Sequence, residues 1–129
     1  MKIHIKSFLP GVVGLAIATT LFLLPGKEFP REDWFSKIYL DKWIHLGLFT
    51  LLVSLWCLPL IHRMSDAHRV RAAFAWVAFA FVIYGVIIEL VQGKFIEFRS
   101  FGIDDIVANT LGCAVGFLFS LQQRKYQKR

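Results

Sequence analysis

Four apolar runs, each close to the length a helix needs to cross ~30 Å of hydrocarbon, divide the chain, with polar stretches between them. The first, SFLPGVVGLAIATTLFLL from Ser7 to Leu24, follows the basic start MKIHIK and ends at Pro25-Gly26. A secretory signal opens the same way, but this run is long for a signal's apolar segment and no A-x-A-like site precedes Pro25, so a retained span is expected. The second run covers Trp43 to Ile61. The third runs from about Ala72 to Gln92, with Gly93 read as its stop, and the fourth from Asp105 to about Leu121. The predicted fold class is all-α: an integral membrane bundle of four transmembrane helices, forming one domain over residues 1–129.

The polar stretches differ in character. In FPREDWFSKIYLDK, Pro30 suits a helix start, Glu32 and Asp33 suit its first turn, and Trp34, Phe35, Ile38 and Tyr39 share one side. A short interfacial helix is expected there, with a plain loop carrying belt aromatics as the simpler alternative. HRMSDAHRVR reads as a basic turn, KFIEFRSFG as a Phe-rich turn and QQRKYQKR as a basic tail.

An even number of spans puts both termini and the 62–71 turn on one side of the membrane. That side holds Lys2, Lys6, Arg63, Arg69, Arg71, Arg124, Lys125, Lys128 and Arg129, nine cations. The other holds Lys27, Arg31, Lys37, Lys42, Lys94 and Arg99, six. The excess predicts cytoplasmic termini. His62, His68 and the arginines of the inner turn are read as topology determinants, with a general attraction to anionic headgroups.

Composition agrees with a membrane protein: 57% of residues are hydrophobic and 16% aromatic, with a mean hydropathy of +0.58. The net charge of +6 does not point to nucleic acid, because the cations flank apolar runs instead of forming one stripe. Cys57 and Cys113 fall within apolar runs at different depths, which suits small core residues and not a disulfide.

Topology also gathers polar residues that lie far apart in the chain. Asp41, Lys42 and His45 open span two; Glu89 and Gln92 close span three; Arg99, Asp105 and Asn109 lie before and within the start of span four. All belong to the end opposite the termini. Asp41 and His45, Glu89 and Gln92, and Asp105 and Asn109 are each spaced to share a helix face. Below them Gly85, in line with Ala78, and Gly112 with Gly116 supply small residues for close helix packing. A polar pocket open to the outer leaflet is expected, its residues turned into the bundle.

Within it, Asp41 would orient the His45 imidazole, Asp104 would cap span four, Lys42 would be a solvated interfacial lysine, and Arg99 would be held by Glu97 or Asp105. The donor set of Asp41, His45, Glu89 and Asp105 is compatible with Mg, Mn or Zn, but no spacing such as HExxH is present, so no metal is assigned and the cofactor is left open. There is no Gly-rich phosphate loop and no G-x-S-x-G setting, and Ser100 reads as a turn residue.

Asp41-Lys42-x-x-His45, Glu89-x-x-Gln92, and Arg99 followed by Asp105-x-x-x-Asn109-x-x-Gly112-x-x-x-Gly116, in this order, resemble the VanZ-like family of small bacterial membrane proteins. The resemblance runs from the end of the first span onward. It implies an envelope-facing protein of the bacterial cytoplasmic membrane, related to proteins of glycopeptide (teicoplanin) resistance, and it brings no settled reaction.

Two readings stay open. In one, an enzyme modifies a lipid-linked or envelope-associated polar substrate, with Glu89 or Asp105 as general base or metal ligand, His45 as acid/base, Arg99 clamping an anionic headgroup, and Asp41, Lys42, Gln92 and Asn109 binding it. In the other, the same residues form a non-catalytic network that recognises a headgroup or glycopeptide, or fixes helix packing. Transport is disfavoured because the polar groups sit at one end only. The bilayer is the expected partner, and the oligomeric state is left open.

Overall fold

The computed structural model describes residues 5–26 and 39–127. The interfacial helix expected after Pro30 lies outside the described residues but for Tyr39. A 3-10 turn, Ile5–Phe8, leads into α1 (Leu9–Leu23); α2 (Leu40–Ile61), α3 (Ala67–Phe95) and α4 (Ile103–Gln127) follow. All four are long and apolar enough to cross a membrane, and the described residues contain no strand.

Several helix limits differ from the sequence reading, α2 and α4 starting earlier, at Leu40 and Ile103, and three further differences have a local reason. α3 starts at Ala67, not Ala72, because Asp66 is extended and its carboxylate accepts the Arg69 backbone N–H at 2.7 Å, satisfying one of the donors that a helix start leaves open. The HRVR stretch is therefore helix. Gly93 does not end α3, which continues to Phe95. A Cβ at Gly93 would stand 2.7 Å from the Phe101 Cβ and 2.8 Å from its backbone nitrogen, so this glycine admits the returning 96–102 loop. α4 runs past Leu121 to Gln127, and Arg124 ties it to the 62–66 turn and the first residue of α3 through the Ser65 and Ala67 carbonyls at 3.0 and 3.1 Å.

α2 is the central helix. It buries Phe49, Leu52, Val53 and Cys57 and makes its most extensive contact with α4. That contact is close because α4 presents glycines: a Cβ at Gly116 would meet the Thr50 carbonyl oxygen and the Val53 Cβ, each at 2.8 Å. Thr50 Oγ1 lies 2.8 Å from the Leu46 carbonyl oxygen and 3.1 Å from that of Gly112. Gly85 of α3 sits under the Phe49 ring, where a Cβ would be 3.1 Å from it and 3.2 Å from the Asn109 Cβ. Without a hydrophobic drive between helices in lipid, such close approach, and the dispersion contacts it permits, is the main source of packing energy.

Phe22, Phe49, Tyr84 and Phe81 form a run of ring contacts across α1, α2 and α3, and the Tyr84 hydroxyl meets Thr19 Oγ1 at 2.8 Å. Trp43, Trp76, Phe79, Ile87 and Leu111 face outward. Apolar exposure on this scale suits acyl chains and not water. Cys57 and Cys113 are buried and unpaired.

Candidate functional site

His45 lies one turn inside α2 and points into the bundle. Its Nδ1 is 2.8 Å from Asn109 Oδ1 on α4 and 3.7 Å from Glu89 Oε1 on α3, and the Phe22 ring of α1 lies 4.9 Å from the imidazole, centroid to centroid. All four helices thus meet at this one side chain. Glu89 has no exposed surface. Its Oε2 accepts a long hydrogen bond, 3.4 Å, from the Gly102 backbone N–H, while its Oε1 and the Asn109 Nδ2 have no hydrogen-bond partner. A buried polar atom without a partner costs roughly 1–3 kcal/mol. The fold tolerates two of them side by side with an imidazole.

Around this centre, α1 contributes through its backbone. Gln92 Nε2 donates to the Phe22 carbonyl at 2.8 Å and Arg99 Nε to the Leu24 carbonyl at 3.2 Å. Both acceptors belong to the carbonyls that a helix C-terminus leaves open. The Gly26 N–H donates to the Glu97 carbonyl at 3.1 Å, and a Cβ at Gly26 would run into the Phe98 carbonyl. Phe98 itself holds a left-handed φ of 60°, an uncommon state for a bulky residue, at the point where the loop turns back over the cluster. Burial lowers the Arg99 guanidinium pKa from its ordinary value, and the nearby carboxylates of Glu89, Asp105 and Asp41 oppose that shift.

At the rim, the Lys42 ammonium contacts three carboxylates: Asp105 at 2.6 Å, Asp41 at 2.8 Å and Asp104 at 3.0 Å. An ammonium has three N–H donors, so the geometry can satisfy it fully. The group carries net negative charge, one cation against three anions. Among the described residues no set of three or more His, Cys, Asp or Glu is arranged to hold a metal ion.

The chain matches the VanZ/LLP1 family over residues 8–122. It belongs to that family. No curated protein and no solved structure matches it. In this VanZ/LLP1 protein, a multi-pass membrane protein by its four spans, the three sequence motifs meet at one end of the bundle. Lys42 and Asp105, His45 and Asn109, and His45 and Glu89 are brought face to face. Gln92 and Arg99 turn to α1.

Several expectations are corrected. Asp41 does not orient His45: it pairs with Lys42 on the rim, because the imidazole points inward to Asn109 and Glu89. Lys42 is not a freely solvated lysine but the hub of the three aspartates. Arg99, beside its electrostatic interaction with Asp105, also donates from Nε to a carbonyl of α1, a contact the sequence did not suggest. The first intrahelical bond at the start of α4 runs from the Ile106 N–H to the Gly102 carbonyl, so Asp104 lies inside the first turn, where its carboxylate meets main-chain N–H groups and also pairs with Lys42. The open pocket is closed at its centre, since Glu89, Asn109, Gln92 and His45 are all buried.

Sequence reasoning missed Phe22, Leu24 and Gly102. Backbone carbonyls have no signature in residue type. Gly102 carried a weak one, as a glycine before two aspartates; a Cβ there would meet Asp105 Oδ2 at 2.5 Å and Asp104 Oδ1 at 2.8 Å.

Proposed function

We propose that this VanZ/LLP1 protein sits in the bacterial cytoplasmic membrane with its termini in the cytoplasm. Its buried cluster would then lie beneath the outer rim and bind or modify a lipid-linked or envelope-associated polar ligand. The observation that carries this reading is the Glu89 carboxylate, fully buried, with Oε1 unpartnered and 3.7 Å from His45 Nδ1. An ionisable residue kept inside a membrane bundle is costly and marks a functional site by default, and the pair has the composition of a proton-transfer dyad.

In this reading Glu89 and His45 exchange the proton, Asn109 holds the imidazole in one orientation, and Asp105 with Lys42 and Asp41 forms the ionic rim that a ligand must part. Gln92 and Arg99 brace the entrance through α1, and Arg99 presents positive charge to an anionic headgroup. A relation to glycopeptide resistance belongs to the same proposal.

The test is Glu89→Gln and Asp105→Asn, near-isosteric changes, combined with lipid extraction and mass spectrometry of cells with and without the protein. Loss of a lipid product or envelope phenotype in variants that still insert and stay folded supports the reading. Full retention in both overturns it.

A second reading has its own support. His45 to Asn109 joins α2 to α4, Gln92 to Phe22 joins α3 to α1, and Lys42 to Asp105 joins α2 to α4 again, so the cluster also works as an inter-helix tie. If it does only that, the same variants lower thermal stability in detergent in a graded way and leave the lipid profile untouched.

A further inference from the structure

At the opposite end of the bundle, a groove of about 620 Å³ opens between the start of α3 and the end of α4. Arg71, Arg124 and Lys125 line it, Leu118 and Leu121 form its apolar part, and Tyr126 stands at its edge. No carboxylate is among the lining residues. Leu118 and Tyr126 are each 62% exposed, so the apolar wall continues onto the lipid-facing surface.

Arg124 is the unusual member. It is only 7% exposed, yet among the described residues its charge meets no anion. Nη1 and Nη2 donate to the Ala67 and Ser65 carbonyls, Nε has no partner, and among the described residues no carboxylate forms an ion pair with it. A buried guanidinium fixed by neutral acceptors alone is incompletely compensated, because burial penalises the charged group far more than a carbonyl dipole can repay. Among the described residues the site has no anion.

We infer that this groove is a binding site for an anionic phospholipid of the leaflet at the end carrying the termini, with the phosphate between Arg71, Arg124 and Lys125 and an acyl chain along Leu118 and Leu121. The guanidinium fork matches phosphate oxygens in a way a single ammonium does not. A groove that joins basic residues at headgroup level to leucines below them matches both parts of a lipid, whereas free phosphate would use only the upper half. Basic pockets between transmembrane helices hold lipid headgroups by this logic. The site stands apart from the His45 cluster and does not depend on the function proposed for it.

The experiment follows thermal unfolding of the purified full chain in detergent, titrated separately with phosphatidylglycerol, phosphatidylcholine and inorganic phosphate. Phosphatidylglycerol is expected to raise the midpoint saturably, and the other two are not. Because Arg124 holds the 62–66 turn and its replacement could unfold the protein, the variant is the exposed pair Arg71→Gln with Lys125→Gln. It is compared with Lys6→Gln with Arg69→Gln, which removes the same charge near the same end but outside the groove.

The groove pair should weaken apparent lipid affinity roughly thirtyfold, and the control pair much less. Equal stabilisation by phosphatidylcholine, full replacement of the lipid by inorganic phosphate, or equal losses in the two double variants would each overturn the inference.

Discussion

Gly112 faces Leu46 across the α2–α4 contact so closely that a Cβ at position 112 would lie 2.5 Å from the Leu46 carbonyl oxygen. The obstacle is backbone, which cannot rotate aside. Gly112→Ala should therefore push the helices apart and lower stability by about 1–3 kcal/mol, the usual range for overpacking. Gly47, on α2, has nothing within 4 Å of its Cβ position. Gly47→Ala should be neutral or stabilising by up to about 1 kcal/mol, from helix propensity alone. Unfolding midpoints in detergent compare the two, and equal effects would mean that glycine content and not close approach governs this contact.

Asn109 gives His45 its nearest acceptor, while Glu89 Oε1 stands further off at 3.7 Å. Asn109→Ala should cost about 1 kcal/mol, the low end for orphaning a buried donor, since the ring can shift toward Glu89. That compensation is weaker when Glu89 is also Gln, whose neutral amide oxygen accepts less strongly than a carboxylate. A double-mutant cycle on Asn109→Ala and Glu89→Gln should then show coupling of at least about 0.5 kcal/mol. Strict additivity would mean that the three residues do not act as one unit.

Lys42 holds together three carboxylates that otherwise repel. The rim is partly exposed, Asp41 and Asp104 more than half so, and solvent screening keeps the effect modest. Lys42→Gln should destabilise by of the order of 1 kcal/mol at low salt. The loss should shrink as added salt shortens the Debye length to a few ångströms. A deficit that does not change with salt would point to lost packing of the lysine stem instead.

The 96–102 loop is seated on Gly93 and Gly26, each pressed against loop backbone or Cβ atoms. Gly93→Ala must lift the Phe101 segment and with it the Gly102 N–H that reaches Glu89. Hydrogen exchange of the Gly102 amide should accelerate in this variant while the amides of mid-α2 stay protected. Unchanged exchange at Gly102 would show that the loop is not held through this contact.

Asp66 caps α3 from outside the membrane span. Its bond from the Arg69 N–H holds the carboxyl below the ordinary aspartate pKa. A folded-state pKa below the unfolded one means a contribution that is fully present above the unfolded value and lost as pH falls through the folded one. Asp66→Ala should thus lower the unfolding midpoint at neutral pH, with the gap between variant and wild type closing in acid. A gap that widens in acid would reverse the assigned sign.

Four spans, their order, and the depth shared by residues 41–45, 89–92 and 105–109 could be read from the chain, because apolar run length sets the number of crossings and helical spacing sets which residues share a face. The glycine spacing of α4 pointed likewise to its packing side. Periodicity within one helix does not fix its rotation against another, so the partners of His45 and Lys42 emerged only once α2 and α4 were in contact through Gly112 and Gly116. Helix ends were the weakest reading, since they depend on single bonds such as Asp66 to Arg69 and on the loop that crosses Gly93. Closure of the cluster came from carbonyls of α1 and the amide of Gly102, main-chain groups that every residue carries and that only three-dimensional proximity singles out.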